Sequence, residues 1–236
     1  MLDTFAGIGG FSYAAHKLVG GFETKQFIEI DPFCQKILNK HFPNVPIHDD
    51  IRTFSAISGQ YDVICGGFPC QSISVAGNRA GITEESRSGI FYELMRVIRM
   101  VRPRFVVLEN VAAILNNGLD IVLGELSQAG YDAEWSVISA STLGACHRRS
   151  RWWCVAYSNS ERLQRKDFRK MEREIWSQSN SRRLNPDWRS YVSKPILPRG
   201  SDGLSNRVDR TKSLGNSVVP ACAAIPLKRV LDLYHQ

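Results

Sequence analysis

Short apolar runs alternate with amphipathic segments through most of this chain, and the alternation allows only a few folds. The runs at residues 27–30, 62–65 and 105–108 are rich in strand-forming residues, and each is followed by Asp, Gly or Glu. Between them, residues 90–101 and 119–129 carry apolar side chains three and four positions apart, as on one face of a helix. The pattern predicts an α/β fold, with a mostly parallel sheet covered by helices on both faces.

The character of the sequence changes at Ser158, where a polar stretch with isolated aromatic residues begins. Residues 158–200 hold 11 Lys or Arg and 5 Asp or Glu, whereas the rest of the chain holds 19 basic and 18 acidic residues. Clustered basic charge is typical of a surface that binds a polyanion, although a solvated loop can have the same composition. A helical pattern returns at residues 221–233. We therefore expect a core domain formed by residues 1–157 and 205–236, with a small insert at 158–204.

Composition excludes several classes of protein. No apolar run reaches the roughly 20 residues of a membrane helix, and the first residues do not resemble a signal peptide. The six cysteines, at positions 34, 65, 70, 146, 154 and 222, contain no Cys-x-x-Cys pair. Neither a zinc ribbon nor a thioredoxin-like site is therefore expected. The simplest expectation is a protein of the reducing cytoplasm that binds neither membrane nor metal.

A glycine-rich stretch follows the first short apolar run. Residues 5–10 read Phe-Ala-Gly-Ile-Gly-Gly, a turn that lets backbone approach a nucleotide in front of a helix N-terminus. Ser12 holds the place of the third glycine of a dinucleotide-binding fingerprint. Glu29 follows Gly7 by 22 residues, at the end of the second predicted strand, where an acid can bind ribose hydroxyls. These features indicate a nucleotide-type ligand, with NAD and S-adenosylmethionine both open at this point.

Two reactive side chains follow later predicted strands. Cys70 lies in the loop Gly-Gly-Phe-Pro-Cys-Gln-Ser, just past the run that ends at Cys65, and Glu109 follows the run 105–108. Ligands of open α/β sheets bind at the carboxyl ends of strands. A thiol there can be activated as a nucleophile, and a carboxyl there can have a raised pKa and donate a proton. The alternative for Cys70 is an inert packing residue, the role that we assign to Cys65. The alternative for the Glu109 stretch is an exposed acid at a strand end or a helix cap formed by Asn110.

Two stretches nearer the C-terminus are polar and precede regular elements. Residues 146–151 read Cys-His-Arg-Arg-Ser-Arg and lead into the apolar run 152–157, a predicted late strand. Alternation along a strand would put Arg149 and Arg151 on one face, able to bind a phosphate, a base oxygen or Glu109. A surface basic patch is the alternative. Residues 214–220 read Leu-Gly-Asn-Ser-Val-Val-Pro, which by themselves predict only a helix cap.

Together and in this order, the five stretches resemble the DNA cytosine-5 methyltransferase family. The resemblance covers the chain apart from the insert, and its Pro-Cys-Gln and Glu-Asn-Val motifs are highly specific. It implies a Rossmann-like class I S-adenosylmethionine-dependent methyltransferase fold, with residues 158–204 as a small target-recognition region. It also implies double-stranded DNA as the substrate and S-adenosylmethionine as the methyl donor. The resemblance further links the chain to DNA methylation in restriction–modification systems.

The resemblance also implies roles for individual residues. The target cytosine would be flipped out of the duplex, Cys70 would add to ring carbon 6, and Glu109 would protonate or hydrogen-bond ring nitrogen 3. Arg151 would hold the base and Glu109, with Arg149 supporting the loop. The positions that match the family's cofactor-binding residues are Phe5, Gly7, Gly9, Gly10, Glu29, Ile30, Asp50, Ile51, Ile90, Asn216 and Ser217.

The chain departs from the family at two positions, and three other interpretations remain open. Cys146 and His147 stand where the family usually has Pro and Gln. Short forms of this kind resemble phage-borne or prophage-borne enzymes. We therefore expect a monomer in the cytoplasm of a bacterial or phage-infected cell, with a cognate restriction endonuclease as a candidate partner.

The alternative functions are an RNA (tRNA) cytosine-5 methyltransferase on the same scaffold, a catalytically silent DNA-binding relative, and an NAD oxidoreductase, which the Cys70 loop disfavours.

Overall fold

The computed structural model describes residues 1–69, 89–158 and 216–235, which contain a seven-stranded sheet and five α-helices. The strands are β1 (Leu2–Thr4), β2 (Gln26–Ile28), β3 (Ile47–His48), β4 (Val63–Gly67), β5 (Phe105–Val111), β6 (Tyr131–Ser139) and β7 (Ser150–Ser158). The helices are α1 (Gly10–Tyr13), which continues as a π-helix over Ala14–Val19, α2 (Pro32–His41), α3 (Ile90–Val101), α4 (Leu119–Gln128) and α5 (Pro220–Tyr234). Short 3₁₀ helices follow β5 and β6, at Ala112–Leu115 and Ala140–Leu143.

The strands lie in the order β3-β2-β1-β4-β5-β7-β6. The first five pair in parallel, whereas β7 pairs antiparallel with both β5 and β6. The chain runs outward from β1 in one direction and then from β4 in the other. The strand order therefore reverses between β1 and β4, and the crevice above their carboxyl ends is where such sheets bind ligands.

Two apolar layers cover the sheet. Val106 and Leu108 of β5 belong to a buried cluster completed by α3 and α4. Phe105 and Val107, which alternate with them, belong to a second cluster completed by α1 and α5. Because β5 is buried on both faces, its sequence reads as a continuous apolar run rather than an alternating one. The predicted α/β sheet, mostly parallel and with helices on both faces, is confirmed.

Several predicted elements match the structure, and others differ at their ends. The helix predicted at residues 90–101 has the bounds of α3. The helix predicted at 119–129 ends one residue after α4, and the helix predicted at 221–233 is one residue shorter than α5 at each end. The predicted run 105–108 is too short, since β5 continues to Val111 and includes Glu109. Strand β6 was not predicted. Apart from Ser158, the predicted insert at 158–204 lies outside the described residues. No helix in the described ranges has the length and apolar character needed to cross a bilayer.

Candidate active site

The loop after β1 turns sharply because three of its residues have left-handed backbone torsions. Their φ angles are 52° at Phe5, 55° at Gly7 and 87° at Gly9, and only glycine adopts such values readily. Gly10 has a different requirement, since a Cβ there would lie 2.7 Å from the Val218 carbonyl oxygen. A Cβ added to Gly7 would have no described atom within 4 Å. The space above Gly7 is therefore open to a ligand, whereas Gly10 allows close packing against the turn before α5.

A buried acid fixes the shape of this loop. The Asp3 Oδ2 atom accepts hydrogen bonds from the Ser12 hydroxyl at 2.6 Å and the Ser12 backbone N–H at 3.2 Å. The Thr24 hydroxyl donates to the Ser12 Oγ atom at 2.9 Å. Burial raises the pKa of Asp3 to about 7, the direction expected for a carboxyl removed from water. No role was predicted for Asp3, although an acid inside a buried strand is an unusual feature that could have revealed one.

Glu29 lies just past the end of β2 and faces the glycine loop. Its Oε2 atom accepts a hydrogen bond from the Gly7 N–H at 2.7 Å, and its Oε1 atom accepts one from the Asp31 N–H at 2.8 Å. Burial raises the pKa of Glu29, against the effect of these hydrogen bonds. Each carboxylate oxygen has a second lone pair. Glu29 can therefore hold the loop and still accept a hydrogen bond from a ligand hydroxyl.

Four other predicted cofactor residues lie on neighbouring elements. Ile30 follows Glu29 and is 63% exposed, unusual for a large apolar side chain. Asp50 and Ile51 lie in a turn after β3, and the Ile51 side chain is buried in the same cluster as α3. Ile90 is the first residue of α3 and packs against that cluster. An exposed apolar side chain, two carboxylates and open space above a glycine fit an adenosine-containing ligand.

The carboxyl of Glu109 is buried beside an arginine near the carboxyl end of β5. The Arg151 Nε atom lies 3.1 Å from Glu109 Oε1. Burial nevertheless raises the pKa of Glu109 to about 7, because desolvation outweighs the attraction of Arg151 and Arg149. A substantial fraction of Glu109 is therefore protonated at neutral pH. Such a group can donate a proton without leaving an isolated charge in the core.

The structure corrects the predicted geometry of Arg149. This residue precedes β7, which begins at Ser150, and its φ of 34° is left-handed rather than extended. The alternation argument that put Arg149 and Arg151 on one strand face is therefore wrong. Arg149 nevertheless acts electrostatically on Glu109, and its Nη2 atom donates to the Ser217 carbonyl oxygen at 2.6 Å. It therefore joins the start of β7 to the turn that contains Asn216 and Ser217.

The loop after β4 approaches Glu109 at its described end. A Cβ on Gly67 would lie 3.2 Å from Glu109 Oε2, so glycine leaves room for the carboxyl. The buried Asn110 side chain donates to the Phe68 carbonyl oxygen at 3.3 Å. Cys70, the predicted nucleophile, follows Pro69 and lies outside the described residues. Asn110 therefore tethers the loop two positions before Cys70, a link that the sequence did not predict.

These residues meet at the topological switch point of the sheet. The glycine loop and Glu29 line the β1 side, whereas Glu109, Arg151 and Arg149 lie on the β5 and β7 side. Acid–base chemistry on a substrate held between the two groups is compatible with this arrangement. Within the described ranges, no three His, Cys, Asp or Glu side chains lie together as ligands of a metal ion would.

Comparisons with known proteins agree on one family. The family model for C-5 cytosine-specific DNA methylase matches residues 1–219. The type II methyltransferase M.CviJI of Paramecium bursaria Chlorella virus IL3A is 36% identical over 158 residues, covering 66% of this chain and 42% of the viral protein. The type II methyltransferase M.MspI of Moraxella sp. is 32% identical over 162 residues, covering 67% of this chain and 38% of that protein.

A solved structure supports the same fold. A protein described as a DNA modification methyltransferase encoded within an E. coli prophage is 26% identical, with a TM-score of 0.56. The match covers 70% of this chain and 48% of the prophage protein. The predicted class I methyltransferase fold is thereby confirmed. This chain spans about two fifths of the length of the two type II methyltransferases that it matches.

Proposed function

Because this chain belongs to the C-5 cytosine-specific DNA methylase family, we propose that it transfers a methyl group from S-adenosylmethionine to carbon 5 of cytosine in double-stranded DNA. The observation that carries the proposal is the buried Glu109 carboxyl, paired with Arg151 and next to the loop that leads to Cys70. A partly protonated acid in this position suits a reaction in which negative charge develops on a ring nitrogen.

The methyl donor would bind at the carboxyl ends of β1 and β2. When bound, S-adenosylmethionine supplies an electrophilic methyl group. Glu29 would accept hydrogen bonds from the ribose hydroxyls, and the exposed Ile30 would contact the adenine ring. Phe5, Gly7, Gly9 and Gly10 form the loop beneath the donor, and Asp50, Ile51, Ile90, Asn216 and Ser217 complete the proposed set. Open space above Gly7 and the unused lone pairs of Glu29 support this assignment.

Cys70 and Glu109 would act on the cytosine. The base must leave the helical stack, because its ring is inaccessible within the duplex. The Cys70 thiolate would form a bond to ring carbon 6 while Glu109 donates a proton to ring nitrogen 3, which makes carbon 5 nucleophilic. Methyl transfer to carbon 5 would leave S-adenosylhomocysteine. Water would then take the proton from carbon 5, the carbon–sulfur bond would break, and nitrogen 3 would return its proton to the Glu109 carboxylate, which restores the ring. The thiolate is thereby regenerated, as covalent catalysis requires.

The two arginines would support this acid rather than react. Arg151 holds the Glu109 carboxyl by its Nε atom and has further N–H groups for an oxygen of the base. Arg149 fixes the turn before α5 through Ser217. A lysine at either position would lack the planar guanidinium, whose several N–H groups can bind two partners in fixed directions at once.

We propose that residues 158–204 recognise the target sequence, since the excess basic charge of the chain lies in this region. Replacing this region by that of a relative with a known target should change which sites are methylated. The rate at a matched site should change less, because the catalytic residues are retained. Bisulfite sequencing of a methylated plasmid would measure both. An unchanged target in the chimaera would mean that other residues read the sequence.

The experiment that tests the proposed function is a covalent trap. Duplex DNA containing 5-fluorocytosine should form a stable adduct with the protein in the presence of S-adenosylmethionine, because fluorine at carbon 5 cannot leave as a proton does. Mass spectrometry should locate the adduct at Cys70. An adduct with substituted RNA alone would instead favour the RNA branch of the family, and no adduct with either would favour a silent DNA-binding relative.

The trap also tests whether the chain acts alone. We propose that a monomer is sufficient for the reaction, in the cytoplasm of a bacterial or phage-infected cell, where duplex DNA is accessible. A cognate restriction endonuclease would act on the same DNA site without joining the catalytic complex. Adduct formation by the purified chain, without any added protein, is the result expected for an independent enzyme.

A further inference from the structure

The turn after β3 contains two of the proposed cofactor residues and is held partly by its own backbone. The Arg52 N–H donates to the Asp50 Oδ1 atom at 3.0 Å. The Thr53 N–H donates to the Asp50 carbonyl oxygen at 3.1 Å, and the Phe54 N–H to the Ile51 carbonyl oxygen at 3.3 Å. These bonds form one helix-like turn. Carbonyl groups at the end of such a turn need donors from elsewhere in the protein or from water.

Arg96, on α3, donates to three carbonyl groups of this turn. Its Nη2 atom lies 2.6 Å from the Ile51 oxygen and 3.3 Å from the Arg52 oxygen, and its Nη1 atom lies 3.1 Å from the Phe54 oxygen. Its Nε atom donates to Glu93 Oε2 at 2.7 Å, one helical turn back along α3. The guanidinium is therefore held by its own helix while it binds a turn more than forty positions earlier in the chain.

Apolar packing and Arg96 fix different properties of the turn. Ile51 and Phe54 are buried in the same cluster as Phe91 and Met95 of α3, so the turn would stay against the helix without Arg96. Apolar contact is non-directional, whereas a planar guanidinium binds carbonyl oxygens in defined directions. Arg96 therefore orients the turn, and with it the Asp50 side chain at the beginning of the turn.

We propose that Arg96 is a positioning residue for the methyl donor, acting through the backbone of residues 51–54 to hold the Asp50 carboxylate where it accepts a hydrogen bond from the adenine amino group. The inference rests on the proposed use of S-adenosylmethionine. Arg52 also binds this carboxylate: Oδ1 accepts from the Arg52 backbone N–H and Nε at 3.0 Å, and Oδ2 accepts from Nε at 3.0 Å and from Nη2 at 2.7 Å. The Arg52 side chain is 60% exposed, so the adenine amino group would take the place of one of these donors. Because α3 begins at Ile90, Arg96 also fixes the turn relative to another proposed cofactor residue.

The test measures the affinity of purified variants for two ligands by calorimetry. One ligand is S-adenosylhomocysteine, and the other is its analogue with hydrogen in place of the adenine amino group. Arg96→Ala should weaken binding of S-adenosylhomocysteine by about tenfold, the effect of losing one hydrogen bond to a charged group, because the contact between Asp50 and the adenine amino group becomes misaligned. Binding of the analogue should change less than about twofold, because the contact that Arg96 supports is already missing from that complex.

Arg99 provides a matched control on the same helix. Its side chain is 43% exposed, against 40% for Arg96, and it pairs with Glu125 rather than with the turn. Arg99→Ala should leave both affinities unchanged. Arg96→Lys, which keeps a charge but not the fork of N–H groups, should show an intermediate loss of about threefold for S-adenosylhomocysteine only. Thermal melting of each variant verifies that it is folded.

Three results would overturn the proposal. Equal weakening of both ligands by Arg96→Ala would mean that Arg96 supports the pocket in general, and no weakening in either Arg96 variant would mean that packing alone orients the turn. The third result is failure of the wild-type chain to bind S-adenosylhomocysteine at all. The cofactor assignment itself would then be wrong, so failure of the proposed function can be told apart from failure of this inference. In turnover assays with varied donor and saturating DNA, Arg96→Ala should raise KM for the donor and leave kcat within about twofold.

Discussion

Replacing Cys70 by serine should abolish methyl transfer while the affinity for S-adenosylmethionine changes less than about twofold. A serine hydroxyl is a far weaker nucleophile than a thiolate unless a base activates it. The donor would bind on the opposite side of the crevice, at the glycine loop and Glu29. Transfer of labelled methyl groups to DNA, together with calorimetric titration of the cofactor, would measure the two quantities separately.

Other cysteines of the chain serve as controls for this prediction. Cys146 is exposed and free, and Cys146→Ser should retain full activity. Cys65 lies in β4, fully buried, and burial raises the pKa of its thiol well above the ordinary range. It therefore cannot replace Cys70 as the nucleophile. Turnover by Cys70→Ser above a few per cent of wild type would show that Cys70 is not the attacking group.

Replacing Glu109 by glutamine should slow methyl transfer by about 10²–10⁴-fold, the usual contribution of a positioned acid. Glutamine keeps the size of the side chain and can hydrogen-bond Arg151, but it cannot transfer a proton to the base. Single-turnover rates at saturating DNA and cofactor would isolate the chemical step. Glu125→Gln is the matched control and should be neutral, because Glu125 pairs with Arg99 rather than with a proposed catalytic residue. A near-normal rate for Glu109→Gln would assign Glu109 to structure alone.

The pH dependence should show the same acid. In the proposed mechanism protonated Glu109 is the active form, and burial raises the pKa of this carboxyl to about 7. We therefore expect kcat/KM of the wild type to fall as pH rises above about 7, and the decline should be absent in Glu109→Gln.

The free energy of unfolding should also fall as pH rises. The stabilisation by the neutral Glu109 carboxyl is complete below the ordinary pKa of 4.5 and is lost as pH rises through about 7. Relative to Glu109→Gln, the free energy of unfolding should therefore fall by about 3 kcal/mol across this range.

The local sequence pattern predicted correctly those elements whose apolar and polar faces are defined by their own residues. The amphipathic spacing of 90–101 gave the bounds of α3, because one face of that helix is apolar and the other is solvated. Strand β5 was predicted too short because Glu109 and Asn110 interrupt its apolar run. In the structure they pair with Trp153 and Trp152 of β7. Those partners are distant in sequence, so the strand continues for a reason that local pattern does not contain.

The candidate site was predicted in its residue identities more than in its internal contacts. Glu109 and Arg151 were expected to lie together, and the structure has the Arg151 Nε atom 3.1 Å from Glu109 Oε1. The positive φ of Arg149 depends on the turn before β7 and on the Ser217 carbonyl, neither of which a strand pattern encodes. The same limit applies to Gly10, whose neighbour is Val218. Long-range backbone contacts of this kind follow only from the assembled fold.

The placement of α5 has a consequence for the order in which the protein is made. One face of the sheet, which includes Phe105 and Val107, is covered by this helix, and Arg149 is fixed by the turn that precedes it. Synthesis runs from the N-terminus at about 5–20 residues per second, so residues 159–219 take several seconds to be made between completion of β7 and the start of α5. During that interval the nascent chain exposes an apolar sheet face, and Arg149 lacks its hydrogen bond to the Ser217 carbonyl oxygen. We therefore expect the nascent chain to bind chaperones, and to be inactive in the proposed methyl transfer, until α5 has emerged from the ribosome.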